Sequence, residues 1–240
     1  MDYLNKIITT VSTVKTSVNY ALPGNIITKE YDVLNQISSA GPGLLWRVYS
    51  GSKKSTKKVS CVSLFFLLLL QLFIVFKEVS VWIFEKKCLE MIPSKRDRDA
   101  VYETLKIGIA QLTRLRHPML LRIEHSLEES RDCLAFCTEP IFSSLANVLG
   151  LNDNLTPILA DQFKNYALEQ VEVQHGLSEM ADALKFLHVD AKILHRNICP
   201  ESVIITKSLC WKLAGFDFST SCNVSSSDQH IFDENLDFST

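Results

Sequence analysis

Three short stretches hold the side chains whose types and spacing could do chemistry. Ile37-Ser38-Ser39-Ala40-Gly41-Pro42-Gly43 ends in two spaced glycines, the kind of loop whose backbone N–H groups can approach an anion. His195-Arg196-Asn197-Ile198-Cys199-Pro200-Glu201-Ser202 concentrates polar and thiol groups ahead of a short apolar run. Lys212-Leu213-Ala214-Gly215-Phe216-Asp217 follows closely. A glycine-containing loop beside loops that carry hydroxyl, amide, thiol and carboxylate groups holds the side-chain types that anion binding or acid–base work draws on.

Other chemistries fit less well. The chain has 7 cysteines: Cys61, Cys88, Cys133, Cys137, Cys199, Cys210 and Cys222. Their number is odd and no C-x-x-C occurs, which argues against a disulfide framework or a zinc site and for a reducing compartment. His117, His125, His175, His188 and His230 show no metal-ligand spacing. No metal is expected. The sequons at Asn154 and Asn223 read as chance in a cytosolic chain.

The elements that must position these loops follow from periodicity. Leu4, Ile7, Ile8, Val11, Val14, Val18 and Leu22 make an amphipathic helix over 1–24. Its Ser/Thr-rich opposite face suits docking on the following domain or shallow contact with a membrane surface. Strands are expected over 31–37 and 44–49, around the glycine turn, and over 79–84 and 134–138. Helices are expected over 100–115 and 167–187, and two more strands over 203–206 and 211–214. Strands first and helices later indicate an α+β fold.

The 240 residues carry 25 Lys+Arg against 27 Asp+Glu, a formal net charge of -2, so no global basic field exists to hold nucleic acid. The apolar fraction of 47% suits a packed globular core. Met1-Asp2-Tyr3 opens no signal peptide.

In order and spacing, these pieces resemble a protein kinase domain over roughly residues 31–218. Ile37–Gly43 sits at the phosphate loop, with Ser38 and Ala40 in place of its first two glycines and only Gly43 remaining. Leu115-Arg116-His117-Pro118 looks like the stretch after the αC helix, and Leu134 to Leu145 like the fifth strand and hinge. His195–Ser202 is similar to H-R-D-L-K-P-E-N, and Lys212–Asp217 to the strand leading into D-F-G. The resemblance implies a bilobal fold, with an N-lobe over about 31–140 and a partial C-lobe over 141–240. That C-lobe stops before the A-P-E end of the activation segment.

Mapped onto this pattern, every position that handles charge is replaced. Val79-Ser80-Val81-Trp82 aligns with V-A-I-K and puts Trp82 at the phosphate-holding lysine. Counting back from His117 puts Gly108 at its glutamate partner. Asn197 stands for the base, Cys199 for the following lysine, Ser202 for one metal ligand and Gly215 for the other. Loss of the base alone costs about 10²–10⁴ in rate. The resemblance therefore implies a pseudokinase: no catalytic residue, no required cofactor and no metal. A vestigial nucleotide cleft remains at Gly43, Thr138, Glu139 and Ile141, where the hinge backbone of Glu139 and Ile141 would allow weak ATP binding. An atypical ATP-binding kinase, with Asp217 standing in as a metal ligand, is the alternative.

Within kinase-like chains this one resembles the SCY-like pseudokinases, and most of all their clathrin-associated, coated-vesicle member. The resemblance rests on Gln111–Pro118, Leu127–Pro140, Ser144–Gly150 and Gly215-Phe216-Asp217-Phe218. It implies a scaffold in traffic between trans-Golgi network, endosomes and plasma membrane. That scaffold would be cytoplasmic and peripheral on coated vesicles, endosomes or Golgi, and would contact clathrin and adaptor proteins through a C-terminal region not in this sequence.

One segment breaks the pattern. Residues 59–76 carry no charge and reach the lower limit for a membrane span. They interrupt a hairpin that would close normally if Lys58 were joined to Glu78. Val59-Ser60 can be encoded by a splice-donor consensus and Lys77 by an acceptor end. Of the 19 residues 59–77, 14 are Val, Leu, Phe or Ile, whose codons suit a polypyrimidine tract. Three readings stand: a retained intron, a transmembrane segment that would make this a single-span membrane protein with a cytosolic kinase-like domain, or a long apolar surface loop.

Overall fold

Alternating apolar and polar residues and a few capped helices build the frame in which these loops sit. The computed structural model describes residues 25–54, 77–90, 92–164 and 166–222. The expected helix over 1–24 and the apolar segment 59–76 lie outside them. Among the described residues, no helix is long and apolar enough to cross a membrane.

A one-turn helix, α1 (Ile26–Glu30), leads into β1 (Tyr31–Ala40), β2 (Trp46–Lys53) and β3 (Glu78–Glu85). Helix α2 (Lys95–Arg114), β4 (Ile123–Glu129) and β5 (Cys133–Thr138) follow. The five strands form one antiparallel sheet in the order β1-β2-β3-β5-β4. The chain then enters β6 (Ile141–Ser144), α3 (Leu145–Val148), α4 (Pro157–Phe163) and α5 (Gln170–Lys185), which continues as a π turn over Phe186–Asp190. Two small sheets complete the described chain. β6 pairs with β8 (Val203–Thr206) and β8 with β9 (Trp211–Leu213), while β7 (Ile193–Leu194) pairs with β10 (Thr220–Ser221). This is an α+β arrangement with a partial protein-kinase-like fold.

The period-2 rule sorts β3 cleanly. Val79, Val81 and Ile83 face one apolar cluster with Ile27, Tyr31 and Tyr49. Trp82 and Phe84 face the main core with Trp46, Phe136 and the α2 residues Leu105, Ile109 and Leu112. The sheet is thus buried on both faces, which is why its central strands read as near-continuous apolar runs. β2 and β3 stay in register from Arg47↔Ile83 to Ser52↔Glu78. The Lys53 N–H then reaches the Lys77 C=O at 3.1 Å, so the hairpin legs meet at both flanks of residues 55–76.

Helix boundaries differ from expectation for local reasons. α2 starts at Lys95 rather than at 100, because Ser94 caps it by accepting the Asp97 N–H. Its charged first turn carries no apolar period to betray it. α5 starts at Gln170 rather than at 167: Glu169 and Glu172 form a reciprocal capping box. The strands around the glycine turn are also longer than expected, since β1 runs to Ala40 and β2 to Lys53. Between them, Gly41 takes φ +71° with Trp46 Cδ1 where a Cβ would stand, at 2.5 Å. Only glycine fits that close approach.

Candidate functional site

The cleft between the five-stranded sheet and the His195–Ser202 loop brings together nearly every position singled out from the sequence. β3 turns Trp82 into it. The indole is 3% exposed, and its Nε1–H donates to Thr138 Oγ1 at 2.9 Å. Its ring stacks on Phe136, with centroids 5.2 Å apart, and Phe136 meets Trp46 edge-on at 5.0 Å. An aromatic block stands where the pattern calls for a cation.

Across the cleft, α2 presents Gly108 to the 3₁₀ turn Phe216–Phe218. A Cβ at Gly108 would lie 2.6 Å from Asp217 Oδ1 and 2.9 Å from the Asp217 backbone nitrogen. A glutamate at this position has no room while Asp217 keeps its seat. Asp217 is 8% exposed, and burial pushes its carboxyl from 3.8 up to about 6.

The polar loop is built around a neutral His195. Buried to 1% exposure, the imidazole donates from Nε2 to the Ala214 C=O at 2.8 Å and accepts the Asn197 N–H on Nδ1 at 3.2 Å. That pattern assigns the tautomer. Burial lowers the pKa of the ring, in line with a structural rather than an acid–base part. Asn197 directs its amide toward the Gly215 C=O at 3.4 Å, at the edge of hydrogen-bonding range. The Ser202 hydroxyl lies 2.7 Å from the Asn197 C=O and 2.9 Å from the Cys199 C=O. Gly215 adopts φ +72°, and a Cβ there would meet Ser202 Cβ at 2.6 Å. The two positions aligned with metal ligands thus lie against one another, with no room for a side chain at Gly215. Burial raises the Cys199 thiol, which leaves it protonated and a poor nucleophile.

At the hinge, the one donor that could pair with adenine, the Ile141 N–H, is already engaged. The Ile141 N–H donates to Ser80 Oγ at 2.9 Å, and the Glu139 C=O accepts the Thr138 hydroxyl at 2.9 Å. The Glu139 carboxylate holds Lys212 Nζ through both oxygens, at 2.8 and 2.9 Å, and also accepts the Arg122 N–H. Gly43 lies apart from this group, with only Leu45 Cγ, at 4.0 Å, near where a Cβ would be.

Sequence reasoning missed what fills the cleft. Ser38, Ser39, Ser143, Ser144 and Asn147 are all fully buried and joined in one network. Asn147 Oδ1 accepts the Ser38 hydroxyl and the Ser39 N–H, each at 2.8 Å. The Ser144 hydroxyl donates to the Ser39 C=O at 2.7 Å, and its N–H to Ser38 Oγ at 3.0 Å. The Gly41 N–H reaches down to the Glu201 C=O at 2.9 Å. The end of β1 and the glycine turn thus lie on the hinge and the polar loop. One cavity, of about 20 Å³, is lined by Trp82, Gly108, Glu201, Gly215 and Asp217 among others, with no lysine or arginine among its lining residues. That holds about one water. The only signal for this network is a pair of serines where a phosphate loop has its first glycine, matched by a Ser-Ser-x-x-Asn run at 143–147.

No protein-family profile matches the chain. It is 45% identical over 218 residues to SCY1-like protein 2 of Mus musculus and to that of Homo sapiens, covering 91% of this chain and 21% of each relative. It is 36% identical over 206 residues to protein kinase domain-containing protein ppk32 of Schizosaccharomyces pombe, covering 81% of this chain and 25% of that one. The chain spans about a fifth of the length of the mouse and human relatives it matches.

Proposed function

The chain belongs to the SCY-like pseudokinase family, and we propose that its kinase-like domain is a non-catalytic scaffold that neither binds ATP nor transfers its phosphate. The observation that carries this reading is the Trp82–Phe136 aromatic block where the kinase pattern has its cation. The cavity beside it, of about 20 Å³, is lined by Glu201 and Asp217 and by no lysine or arginine. A nucleotide triphosphate needs room, positive charge and a metal cage to be held for transfer. Trp82, Gly108, Ser202 and Gly215 supply none of these, and Asn197 has no carboxylate to accept a proton. The hinge Ile141 N–H would have to leave Ser80 Oγ before meeting adenine. A phosphotransfer assay with Mg²⁺ and with Mn²⁺ tests the reading. Background rates support it, and robust turnover abolished by Asp217→Asn would replace it with the atypical-kinase alternative.

The cellular setting is proposed from the family resemblance alone: clathrin-associated vesicle traffic between trans-Golgi network, endosomes and plasma membrane, with contacts to clathrin and adaptors. The sequence pattern of 1–24 adds a proposed membrane-surface contact. Co-fractionation of this chain with clathrin-coated vesicles, and its flotation with liposomes with and without 1–24, test the two parts separately.

A further inference from the structure

The residues from α3 to α4 lie against the end of β1 and the β1–β2 turn. We propose that residues 149–156 form a latch that holds the β1–β2 turn down, and that Asn154 is its bolt. The inference builds on the closed cleft and concerns how it opens.

The latch touches the turn through three hydrogen bonds between segments more than a hundred residues apart. Asn154 Nδ2 donates to the Leu44 C=O at 3.0 Å. The Asn154 C=O accepts Gln36 Nε2 at 2.6 Å. The neighbouring Asp153 C=O accepts the Ser39 hydroxyl at 2.7 Å. Both bolted residues sit in the left-handed region, Asn154 at φ +60° and Leu44 at φ +54°. Asparagine tolerates that conformation better than other residues with a side chain, whereas leucine does not, so Leu44 needs an outside hold.

Beneath the latch, the serine–asparagine network is fully buried, whereas the latch is not. Leu149 is 58% exposed and Leu151 44%, and only Leu155 packs partly against the core. Few apolar contacts and hydrogen bonds that are only part-buried mark a segment that opens locally at low cost. The inner network and the Glu139–Lys212 pair have no such exposure. The first opening event is therefore release of 149–156, followed by lifting of the turn, with the sheet and hinge intact.

Hydrogen exchange of the whole chain without nucleotide tests this independently of any nucleotide reading. Asn154→Gly keeps the left-handed turn and removes only the side-chain donor. Gln36→Ala removes the second bond from the other side. Each variant is expected to speed exchange of the Ser39, Gly41 and Leu44 amides about tenfold, the worth of one hydrogen bond. The β3 and β5 amides should exchange as in the unaltered chain. Unchanged exchange at Ser39 and Gly41 in both variants would overturn the latch. So would equal acceleration across the whole sheet, because 149–156 would then not be a separable element.

Discussion

Replacing Asp217 by asparagine should stabilise the protein at neutral pH, although it removes a charge from a conspicuous loop. The carboxyl is 8% exposed and seated against Gly108, and burial raises its pKa from 3.8 to about 6. Because the folded-state pKa lies above the unfolded value, the folded protein binds the proton more tightly. Stability is full below about pH 3.8 and falls as pH rises toward 6, where the carboxyl ionises inside the core. A shift of about two units at about 1.4 kcal/mol each amounts to about 3 kcal/mol lost by pH 7. The Asp217→Asn variant would carry no such penalty, and its side chain has nearly the same shape. His195 works in the other direction: its lowered pKa costs stability as pH falls below the ordinary histidine value. That contribution is common to both proteins and cancels in the difference. Urea unfolding of the two proteins between pH 4 and pH 8 is the assay. The variant should be more stable by about 1–3 kcal/mol at pH 7, with the gap closing toward pH 4. A pH-independent difference, or a less stable variant at pH 7, would refute the buried, uncompensated carboxyl.

Trp82→Lys restores the missing cation but should not restore chemistry. It deletes the bond to Thr138 and the stack on Phe136, and it leaves a buried amine with Gly108 in place of a carboxylate partner. Thermal or urea unfolding should show a loss of about 3–5 kcal/mol, and phosphotransfer should stay at background. Asn147→Ala strips partners from the buried Ser38 hydroxyl and Ser39 N–H. It should cost about 2–4 kcal/mol in urea unfolding, more than one exposed hydrogen bond is worth.

The parts of the site that follow from the kinase motifs are legible in the sequence. The match to V-A-I-K puts Trp82 on β3, and the resemblance to the two kinase loop motifs singles out Asn197, Cys199, Ser202 and Gly215. Counting back along α2 puts Gly108 at the glutamate position, and the structure adds the reason for a glycine there, since Asp217 lies against it. The rest depends on partners distant in sequence. Ser38 meets Asn147 across 109 positions, and the Gly41 N–H meets the Glu201 C=O across a longer gap, with no period to announce either. The early start of α2 escaped for the opposite reason. Its cap is local, but a turn of Lys-Arg-Asp-Arg carries no apolar stripe. The loop order implies a cleft, and only three-dimensional pairing shows that β1 itself lies in it.

The most direct test of the central claim is titration of the purified chain with ATP in a calorimeter, with and without Mg²⁺. The account predicts no saturable heat at millimolar nucleotide in either condition. Saturable, magnesium-dependent binding at micromolar ATP would contradict it, because a triphosphate would then have found in this cleft the room and positive charge that Trp82, Gly108 and Gly215 do not supply.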